Sequence, residues 1–484
     1  MTARILLSAS EWGSVLLNWL NAANDFMWTY VIIVLLVFCA VYFTIRTRGV
    51  QFVLFKDMIR IMLGLDKKSK AKQAVKEGKK KKIGSFGAFA ISLSSRVGTG
   101  NLAGVASAIV MGGPGAVFWM WIMALLGAAN GFVESTLAQL YKKKGKDSYY
   151  GGPAYYMQTG LKRKWMGVVF AVLITGTFGM AYQIFQSNTM CAALSNAFGW
   201  DKVLLGIAFT VCTLVIIFGG VQRVARFASI IAPVMAIGYI VLALFIVVSN
   251  FGDIPAVLKM IVKGAFGMEQ VVGGAFGAAV MQGIKRGLFS NEAGEGSAPN
   301  AAAAAETSHP VQQGLVQALG VFVDTLLICS CTAFIILSTG SLSSGLDGIL
   351  LTNHAVESEL GVFGRYFLTA AIFMLAYSTI IGNYFYGETN IRFITSNRYA
   401  VPAFRIVTGG MVMIGAVITL QTAWTFVDIM MGLMTLFNLV AILLLSDKVF
   451  RLLKNYKDQK RAGKDPEFHR SMLPDIEKDI DCWD

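Results

Sequence analysis

Long apolar segments alternate with short polar connections along most of this chain. Each apolar segment is close to the roughly 20 residues that a helix needs to cross the hydrocarbon core of a bilayer. Because lipid offers no hydrogen bonds to the backbone, each segment must satisfy its own peptide groups, as a helix does. The pattern predicts an all-α polytopic membrane protein with eleven transmembrane helices, at about 26–45, 84–110, 115–140, 165–196, 202–219, 226–249, 270–304, 311–338, 362–387, 403–420 and 423–445.

The amino-acid composition agrees with this pattern. Of the 484 residues, 55% are hydrophobic and only 14% are charged, and the mean hydropathy is +0.61. A soluble domain carries about 25% charged residues. The first apolar segment has no basic region before it and no small-residue cleavage site after it. We therefore interpret it as a retained helix rather than a signal peptide.

The net charge of +14 raises nucleic-acid binding as a possibility, but the placement of the basic residues argues against it. Short cytoplasmic loops of membrane proteins accumulate Lys and Arg. Alternate connections hold 34 of the 42 Lys and Arg residues, namely 46–82, 142–164, 219–226, 305–313, 389–405 and 446–484. We therefore predict a multi-pass protein of the plasma (inner) membrane, with its N-terminus outside and its C-terminus cytoplasmic. The lysine-rich run 76–82 would lie at the anionic inner surface.

One stretch of the chain is present twice. Residues 84–108 and 274–298 align without gaps and share ten of 25 positions, including an Arg-x4-Asn spacing. Chance similarity between two segments rich in Gly and Ala is the alternative. A true duplication gives two five-helix repeats, 84–249 and 270–445, and because five is odd the second repeat is inverted in the membrane. The remaining parts are a peripheral first helix with a basic amphipathic segment, an external interfacial segment and a cytoplasmic tail, at 1–83, 250–269 and 446–484.

Each copy of the repeat contains a glycine-rich stretch just after an arginine. Glycine disfavours a helix by about 1 kcal/mol relative to alanine, so the first and sixth core helices are predicted to be broken there. A broken helix offers carbonyl groups to a cation and N–H groups to a carboxylate. Thr99 and Asn101 would cap the second half-helix in one copy, and Ser290 or Asn291 in the other. Close packing of helices through small residues is the alternative explanation for the glycines.

Charged side chains lie within the predicted spans, where they are expensive and usually functional. Arg96 and Arg286 could pair with acidic residues and gate a pathway, or they could extend to the membrane interface. Glu134 and Asp324 could each bind a proton or a cation, or form a buried pair that fixes packing. The sequence leaves these alternatives open.

Uncharged polar side chains also point to a site. Gln183 and Gln186 lie at i and i+3 on one face of the fourth span, where they could bind a zwitterion or hydrogen-bond to a neighbouring helix. Ser378 and Thr379 place two adjacent hydroxyl groups in the ninth span. Since hard cations prefer oxygen ligands, these hydroxyls could join carbonyls of the first broken helix around Na+. Bonding back to the helix's own carbonyls is the alternative.

The sequence shows no catalytic constellation, no Cys or His cluster with metal-ligand spacing, and no phosphate-binding GxxxxGK[ST] motif. We therefore predict neither an enzyme nor an ATP-driven pump. The six cysteines are interpreted as apolar packing residues without a disulfide framework.

Residues 112–127 read GGPGAVFWMWIMALLG. This segment resembles the signature of the alanine/glycine:cation symporter family, also called sodium:alanine symporters. The RVGTGNLAG and GLFSNEAGEGSAP segments and the eleven-span layout resemble the same family. The resemblance implies a LeuT-like fold of the amino-acid/polyamine/organocation superfamily. It also implies uptake of alanine or glycine, in L or D form, coupled to Na+ or in some members to H+.

The resemblance further implies which residues form the site. The implied substrate-binding residues are Thr99, Gly100, Asn101, Gln183, Gln186, Phe289, Ser290 and Asn291. The first three would face the substrate carboxylate, with either glutamine nearby, and the last three would close the pocket. The implied Na+ ligands are Gly98, Ser378 and Thr379, with backbone carbonyls near Arg96 and Val97.

The sequence as a whole predicts a secondary active symporter that imports a small neutral amino acid with Na+ by alternating access. Its predicted partners are that amino acid and the lipid bilayer, with no nucleic acid and no obligate protein partner. A non-transporting amino-acid sensor and an ion channel are the alternatives. Alanine against glycine, L against D, Na+ against H+, the stoichiometry and the oligomeric state stay open.

Overall fold

A computed structural model describes residues 19–65, 83–145, 149–219, 234, 237–267 and 274–483. Its regular structure is almost all helical, and the strands of the described residues are two short antiparallel segments, β1 (Lys143–Lys144) and β2 (Tyr149–Tyr150). The lysine-rich run 76–82 and the start of the predicted span 226–249 lie outside the described residues.

The helices up to residue 267 follow in chain order. They are α1 (Trp19–Arg46), α2 (Val50–Val53), α3 (Phe55–Met62), α4 (Ser85–Arg96), α5 (Ala103–Gly112), α6 (Gly115–Leu140), α7 (Pro153–Thr159), α8 (Lys164–Phe198), α9 (Lys202–Phe218), α10 (Ile237–Ser249) and α11 (Ile254–Ala265).

The helices after residue 273 complete the bundle. They are α12 (Gly274–Asn291), α13 (Ala298–Ala303), α14 (Pro310–Ser338), α15 (Gly348–Ile394), α16 (Ala400–Val417) and α17 (Leu420–Arg461). Wherever its residues are described, each predicted apolar segment contains helix.

The structure confirms a polytopic helical membrane protein. Within the described residues, seven helices are long and apolar enough to cross a bilayer, namely α1, α6, α8, α14, α15, α16 and α17. The pair α10 and α11 is bent by 76° and would be an eighth span if it crosses as one unit. Helix α9 is apolar but shorter. The number eleven and the inverted orientation of the two repeats stay predictions.

The ends and bends of the helices follow local chemistry. Helix α8 stops at Gly199, whose φ of +70° is a conformation that glycine adopts without strain. Two residues later, a carboxylate oxygen of Asp201 accepts hydrogen bonds from the amides of Val203 and Leu204 and so caps α9. Helix α15 bends at Gly361, which has φ +60° and ψ −149°. Residues 348–360 therefore precede the predicted span 362–387 as a separate helical arm.

Helix α6 lies at the centre of the bundle. It packs against α1, α11, α12, α13 and α14, while α8 packs against α15 and α16. The α6–α11 contact is close because glycines meet there: a Cβ built on Gly264 would lie 2.9 Å from the amide nitrogen of Gly115. In lipid, where apolar side chains gain little by leaving their surroundings, such close backbone packing is a main source of helix association.

The C-terminal segment folds back onto the bundle. Helix α17 continues through the predicted boundary at 445 as far as Arg461. Beyond it, the amide of Phe468 donates to the carbonyl of Ser308 (2.9 Å), and the indole Nε1 of Trp483 donates to the carbonyl of Gln139 (3.0 Å). Both aromatic side chains are buried, so this tail, despite its polar composition, is part of the folded body.

We expect Trp483→Ala to lower the stability of the purified protein by about 3–5 kcal/mol, because it removes a buried indole and leaves the Gln139 carbonyl without its donor. The measurement is thermal unfolding in detergent. Met472→Ala is the control, since Met472 lies on the same tail but is exposed. Equal unfolding temperatures for the two variants would contradict the contribution of the tail.

Candidate functional site

The first helix break lies between α4 and α5. Helix α4 ends at Arg96, Val97 and Gly98 leave helical geometry, and 99–101 form a single 3-10 turn before α5. Glycine is required at position 98 because a Cβ there would clash with the hydroxyl of Thr379 on α15. The chain therefore breaks where its backbone touches α15.

The second helix break lies between α12 and α13. Helix α12 continues to Asn291, and the residues after it include Glu292, Gly294 and Gly296 with φ values of +57°, +95° and +92°. A glutamate in the left-handed region is uncommon and strained. Both predicted breaks are therefore confirmed, and the second is shifted toward the C-terminus of the motif.

Of the predicted caps, only that of Asn101 is confirmed. Its Oδ1 accepts from the amide of Gly98 (2.9 Å), at the start of the 3-10 turn that opens the second half-helix. The Thr99 hydroxyl donates to Gln186. Ser290 and Asn291 belong to the last turn of α12 and cannot cap α13. They stay helical because their polar side chains find partners on α14, and the left-handed residues break the helix after them.

A buried polar network joins the two breaks. The Nδ2 of Asn101 lies 2.9 Å from the Ser290 hydroxyl and 2.6 Å from the Oδ1 of Asp324. The Ser290 hydroxyl donates to the Oδ2 of Asp324 (2.7 Å), and the Asn291 amide donates to the Thr325 hydroxyl (3.1 Å). All five side chains are buried.

Asp324 has neutral partners in this network. Its hydrogen bonds to Asn101 and Ser290 tie α14 to both helix breaks, which agrees with the predicted packing role, whereas binding of a proton or a cation by Asp324 stays a prediction. It lies in a π-helical stretch of α14, 322–329. Such π-bulges occur frequently at functional sites.

The two predicted glutamines have different partners. The Oε1 of Gln186 accepts from the hydroxyl (2.7 Å) and the amide (3.3 Å) of Thr99, so Gln186 holds the first helix break directly. The Nε2 of Gln183 donates to the carbonyl of Ile380 on α15 (3.0 Å). The Oε1 of Gln183 is buried and has no hydrogen-bond partner among the described residues. Bonds to neighbouring segments thus satisfy the Oε1 of Gln186 and the Nε2 of Gln183.

Phe289 forms the predicted aromatic wall. Its ring centroid lies 4.8 Å from that of Tyr182, 5.1 Å from Phe185 and 5.0 Å from Trp424. On the other side of the ring, a Cβ built on Gly100 would lie 3.1 Å from the Phe289 ring carbons. Gly100 therefore lets the first helix break approach the aromatic wall.

An ion pair stands beside this wall. The guanidinium of Arg286 donates to both carboxylate oxygens of Asp428 at 2.9 and 3.0 Å, and it lies 3.5 Å from the centroid of the Trp424 ring. Lys285 adds a second positive charge, 3.6 Å from Asp428. Arg286 is 2% exposed. The predicted pairing of Arg286 is confirmed, and its side chain does not extend to an interface.

Arg96 behaves differently. Its Nη1 donates to the carbonyl of Gln317 (3.0 Å), whereas its Nε and Nη2 have no hydrogen-bond partner in the described part of the chain. The guanidinium is as buried as that of Arg286. Arg96 therefore supplies a positive charge inside the bundle without a bidentate carboxylate.

Glu134 holds the second helix break. One carboxylate oxygen accepts from the amide of Gly294 (3.2 Å), and the other accepts from the Nδ2 of Asn438 (2.7 Å). The same Asn438 amide also reaches the carbonyl of Gly294 (2.9 Å). Glu134 thus satisfies a peptide group that the break exposes, which is a structural role.

Oxygen atoms gather where α4 ends against α15. The Thr379 hydroxyl lies 3.0 Å from the carbonyl oxygen of Ser94 and 3.4 Å from that of Val97. The Ser378 hydroxyl donates to the carbonyl of Leu375, one turn earlier on α15 (2.8 Å). The structure therefore brings Thr379 to the first helix break as predicted, while Ser378 bonds within its own helix.

Sequence reasoning gave no role to Trp424 and no partner to Asp428. Both lie on α17, four residues apart, and they match Arg286 and Phe289, which are three residues apart on α12. The sequence contained a signal for this contact, the i, i+4 spacing of Trp424 and Asp428 opposite the i, i+3 spacing of Arg286 and Phe289. The signal becomes recognisable only when α12 and α17 are known to be neighbours.

Two interrupted helices that face each other inside an apolar bundle are typical of secondary transporters. The model of the sodium:alanine symporter family matches residues 13–470, and the chain belongs to this family. It is therefore a member of a family of sodium-coupled amino-acid symporters, embedded in the membrane through several spans.

Named relatives cover almost the whole chain. It is 48% identical over 462 residues to the "Probable sodium/glutamine symporter GlnT" of Bacillus subtilis (strain 168), with 95% of each chain covered. It is 46% identical over 465 residues to the "Amino-acid carrier protein AlsT" of the same organism, with 96% and 97% covered. It is 39% identical over 407 residues to the "Sodium/proton-dependent alanine carrier protein" of Bacillus sp. (strain PS3), with 80% of this chain and 91% of that protein covered.

A solved structure shares the fold. A mutant of the manganese transporter of Eremococcus coleocola superposes with a TM-score of 0.51 over 74% of this chain and 76% of its own. The two sequences are 14% identical, so the likeness concerns the fold alone.

We expect Asp428→Asn to destabilise the protein by about 3–5 kcal/mol, because it leaves the buried Arg286 guanidinium uncompensated. The double variant Arg286→Gln/Asp428→Asn should recover part of this loss. Thermal unfolding in detergent measures both. Asp475→Asn is the control, since its bidentate pair with Arg451 is largely exposed and contributes little. An Asp428→Asn variant as stable as Asp475→Asn would show that the buried pair is dispensable.

Proposed function

We propose that this chain imports a small neutral amino acid together with Na+ by alternating access. The observation that carries this proposal is the meeting of the two helix breaks at one buried network of Asn101, Ser290 and Asp324. Alanine, glycine and glutamine are the candidate substrates. Alanine and glycine follow from the family resemblance, and the names of the relatives include alanine and glutamine.

The amino acid would bind between the first helix break and the aromatic wall. Thr99, Gly100 and Asn101 would face its carboxylate, because N–H groups at the start of a half-helix favour negative charge. Phe289 would bound the side chain of the substrate after its ring moves away from Gly100, which it contacts in this structure. Gln186 is poised to exchange its bond with Thr99 for one with the substrate.

The Na+ ion would bind where α4 ends against α15. Three oxygen atoms meet there, the Thr379 hydroxyl and the carbonyls of Ser94 and Val97. The predicted set also includes Gly98 and Ser378, and the Ser378 hydroxyl would have to leave the Leu375 carbonyl to join it. Hydroxyl and carbonyl oxygens suit a hard cation, and the carbonyl end of α4 adds a favourable dipole. The hydroxyl groups would turn their hydrogens away and offer their lone pairs to the ion.

The transport cycle would use the predicted inverted repeat. Eleven spans, with one five-helix unit inverted relative to the other, would place the site near the bilayer midplane. The distribution of Lys and Arg would put the N-terminus outside. Binding of both solutes would let one unit rock against the other, so that the site opens inward. Each positive charge that crosses with the membrane potential contributes about 2.3 kcal/mol per 100 mV.

Reconstituted vesicles test this proposal. Purified protein in liposomes should accumulate radiolabelled alanine, glycine or glutamine when an inward Na+ gradient is applied, and unlabelled competitors should rank the three. Binding without accumulation would favour a sensor, and Na+ flux without amino acid would favour a channel. Either of these results would reject the symporter.

We expect Thr379→Val to raise the Na+ concentration for half-maximal uptake by at least about tenfold, because it removes a hydroxyl ligand while keeping the side-chain shape. Thr389→Val is the matched control on the same helix, since within the described residues the Thr389 hydroxyl bonds to the carbonyl of Phe385 in its own helix. The measurement is uptake against Na+ concentration at fixed amino acid. The same Na+ dependence in both variants would remove Thr379 from the cation site.

We expect Gly100→Ala to weaken amino-acid binding by about tenfold or more, because its methyl group would displace the Phe289 ring. Gly410→Ala is the control, since a Cβ on Gly410 of α16 would meet open space. Equilibrium binding in detergent, with an unfolding temperature for each variant, separates affinity from folding. A folded Gly100→Ala protein with unchanged affinity would place the substrate elsewhere.

A further inference from the structure

Three buried carboxyl groups surround the second helix break. Glu134, Glu292 and Glu295 are each at most 1% exposed, and the cation that interacts with all three is Arg96. If all three were ionised, Arg96, which also interacts with Asp324, could compensate only one of the buried negative charges. Burying an uncompensated charge is so costly that a buried carboxyl group takes up a proton instead.

Hydrogen-bond donors identify the carboxyl group that would hold this proton. One carboxylate oxygen of Glu134 accepts from the amide of Gly294, and the other accepts from the Nδ2 of Asn438. Both oxygens of Glu292 also have donors, the hydroxyls of Ser95 (2.8 Å) and Ser297. Donors on both oxygens favour the ionised form, so these two groups are less suited than Glu295 to hold the proton.

Glu295 lacks this support. One of its oxygens accepts from the Tyr182 hydroxyl, and the other, Oε2, is buried without a hydrogen-bond partner among the described residues. Glu295 is 0% exposed. A neutral hydroxyl at Oε2 is far less costly to bury than an unpaired negative charge. Because its Oε2 has no hydrogen-bond donor in the described residues, Glu295 is the carboxyl group best suited to hold the proton.

Tyr182 connects Glu295 to the substrate pocket. Its hydroxyl binds Glu295, and its ring packs edge-on against Phe289, with ring centroids 4.8 Å apart. Phe289 in turn lies against Gly100 in the first helix break. Movement of Phe289 upon substrate binding would therefore move Tyr182, and with it the one hydrogen-bond donor that Glu295 has in the described structure.

We propose that Glu295 is a proton-binding site of the transport cycle, coupled to the substrate through Tyr182 and Phe289. This inference rests on the proposed function and names a second coupling ion for it. The carboxyl group holds its proton on Oε2 in the closed arrangement described here. When the second helix break opens to water, the O–H bond breaks, the proton passes to water, and Glu295 becomes a carboxylate.

Other titratable groups face Glu295 from the elements around it. Electrostatic contact comes from Arg96 of α4, Glu134 of α6, Tyr182 of α8 and Glu292 of the helix break. Tyr156 of α7 approaches through Asn438, and Tyr386 of α15 interacts with Glu292. Arg96 is the one basic group among these neighbours.

The test measures protons and amino acid in the same vesicles. Wild-type protein, reconstituted with a pH-sensitive dye inside, should acidify the lumen during Na+-driven uptake of labelled alanine or glutamine. In Glu295→Gln the number of protons that enter per amino acid should fall to zero, whatever rate of uptake remains. Tyr182→Phe should shift the pH dependence of uptake while keeping the ring contact with Phe289.

Glu134→Gln is the matched control, since it removes a carboxylate of the same group whose oxygens both have donors. It should keep proton entry per amino acid. An unchanged proton ratio in Glu295→Gln, or wild-type uptake without proton movement, would overturn the inference and leave the symporter intact. Absence of amino-acid uptake in the wild type would reject the proposed function itself. Substrate binding in detergent between about pH 5 and 9 provides a second readout, which should lose its pH dependence in Glu295→Gln.

Discussion

The structure depends on the hydrogen bonds that join the two broken helices inside an apolar bundle. Peptide groups left open within a bilayer each cost several kcal/mol, so a break in a spanning helix persists only if other groups satisfy it. At the first break Asn101 and Gln186 do so, and at the second break Glu134 and Asn438 do so. Asn101 also reaches Ser290 and Asp324, and thereby ties one break to the other. The two breaks therefore form one hydrogen-bonded unit.

The buried charges divide into two kinds. Arg286 and Asp428 form two hydrogen bonds with each other beneath the ring of Trp424, and within the described residues only the Nε of this guanidinium is left without a partner. Arg96 and the three glutamates at the second break share a single positive charge, and the guanidinium keeps two nitrogens without partners in the described structure. An ion pair such as Arg286–Asp428 holds two helices in one arrangement. A group in which several carboxylates share one arginine responds to a proton, an ion or water, so a change of state can start at Arg96 and the glutamates.

The aromatic wall shows how packing and chemistry are combined at the site. Phe289 contacts three other aromatic rings and also limits the space beside Gly100. Edge-to-face pairs of this kind add about 0.5–1.5 kcal/mol each beyond the burial of their surface, so the ring is held in a defined position. A small shift of Phe289 is therefore transmitted to Tyr182 and Trp424. Tyr182 contacts Glu295, and Trp424 contacts Arg286 of the ion pair.

The sequence by itself determined the helical membrane class, the two breaks and most of the residues near them, because lipid forces apolar segments into helices and glycine-rich stretches interrupt them. It also marked the charged residues as costly. It did not determine their partners. The pairing of Arg286 with Asp428, 142 positions away, and the contact of Thr379 with the Ser94 carbonyl, 285 positions away, depend on which helices are neighbours. Such contacts follow from tertiary packing, and local helix preference carries no information about them.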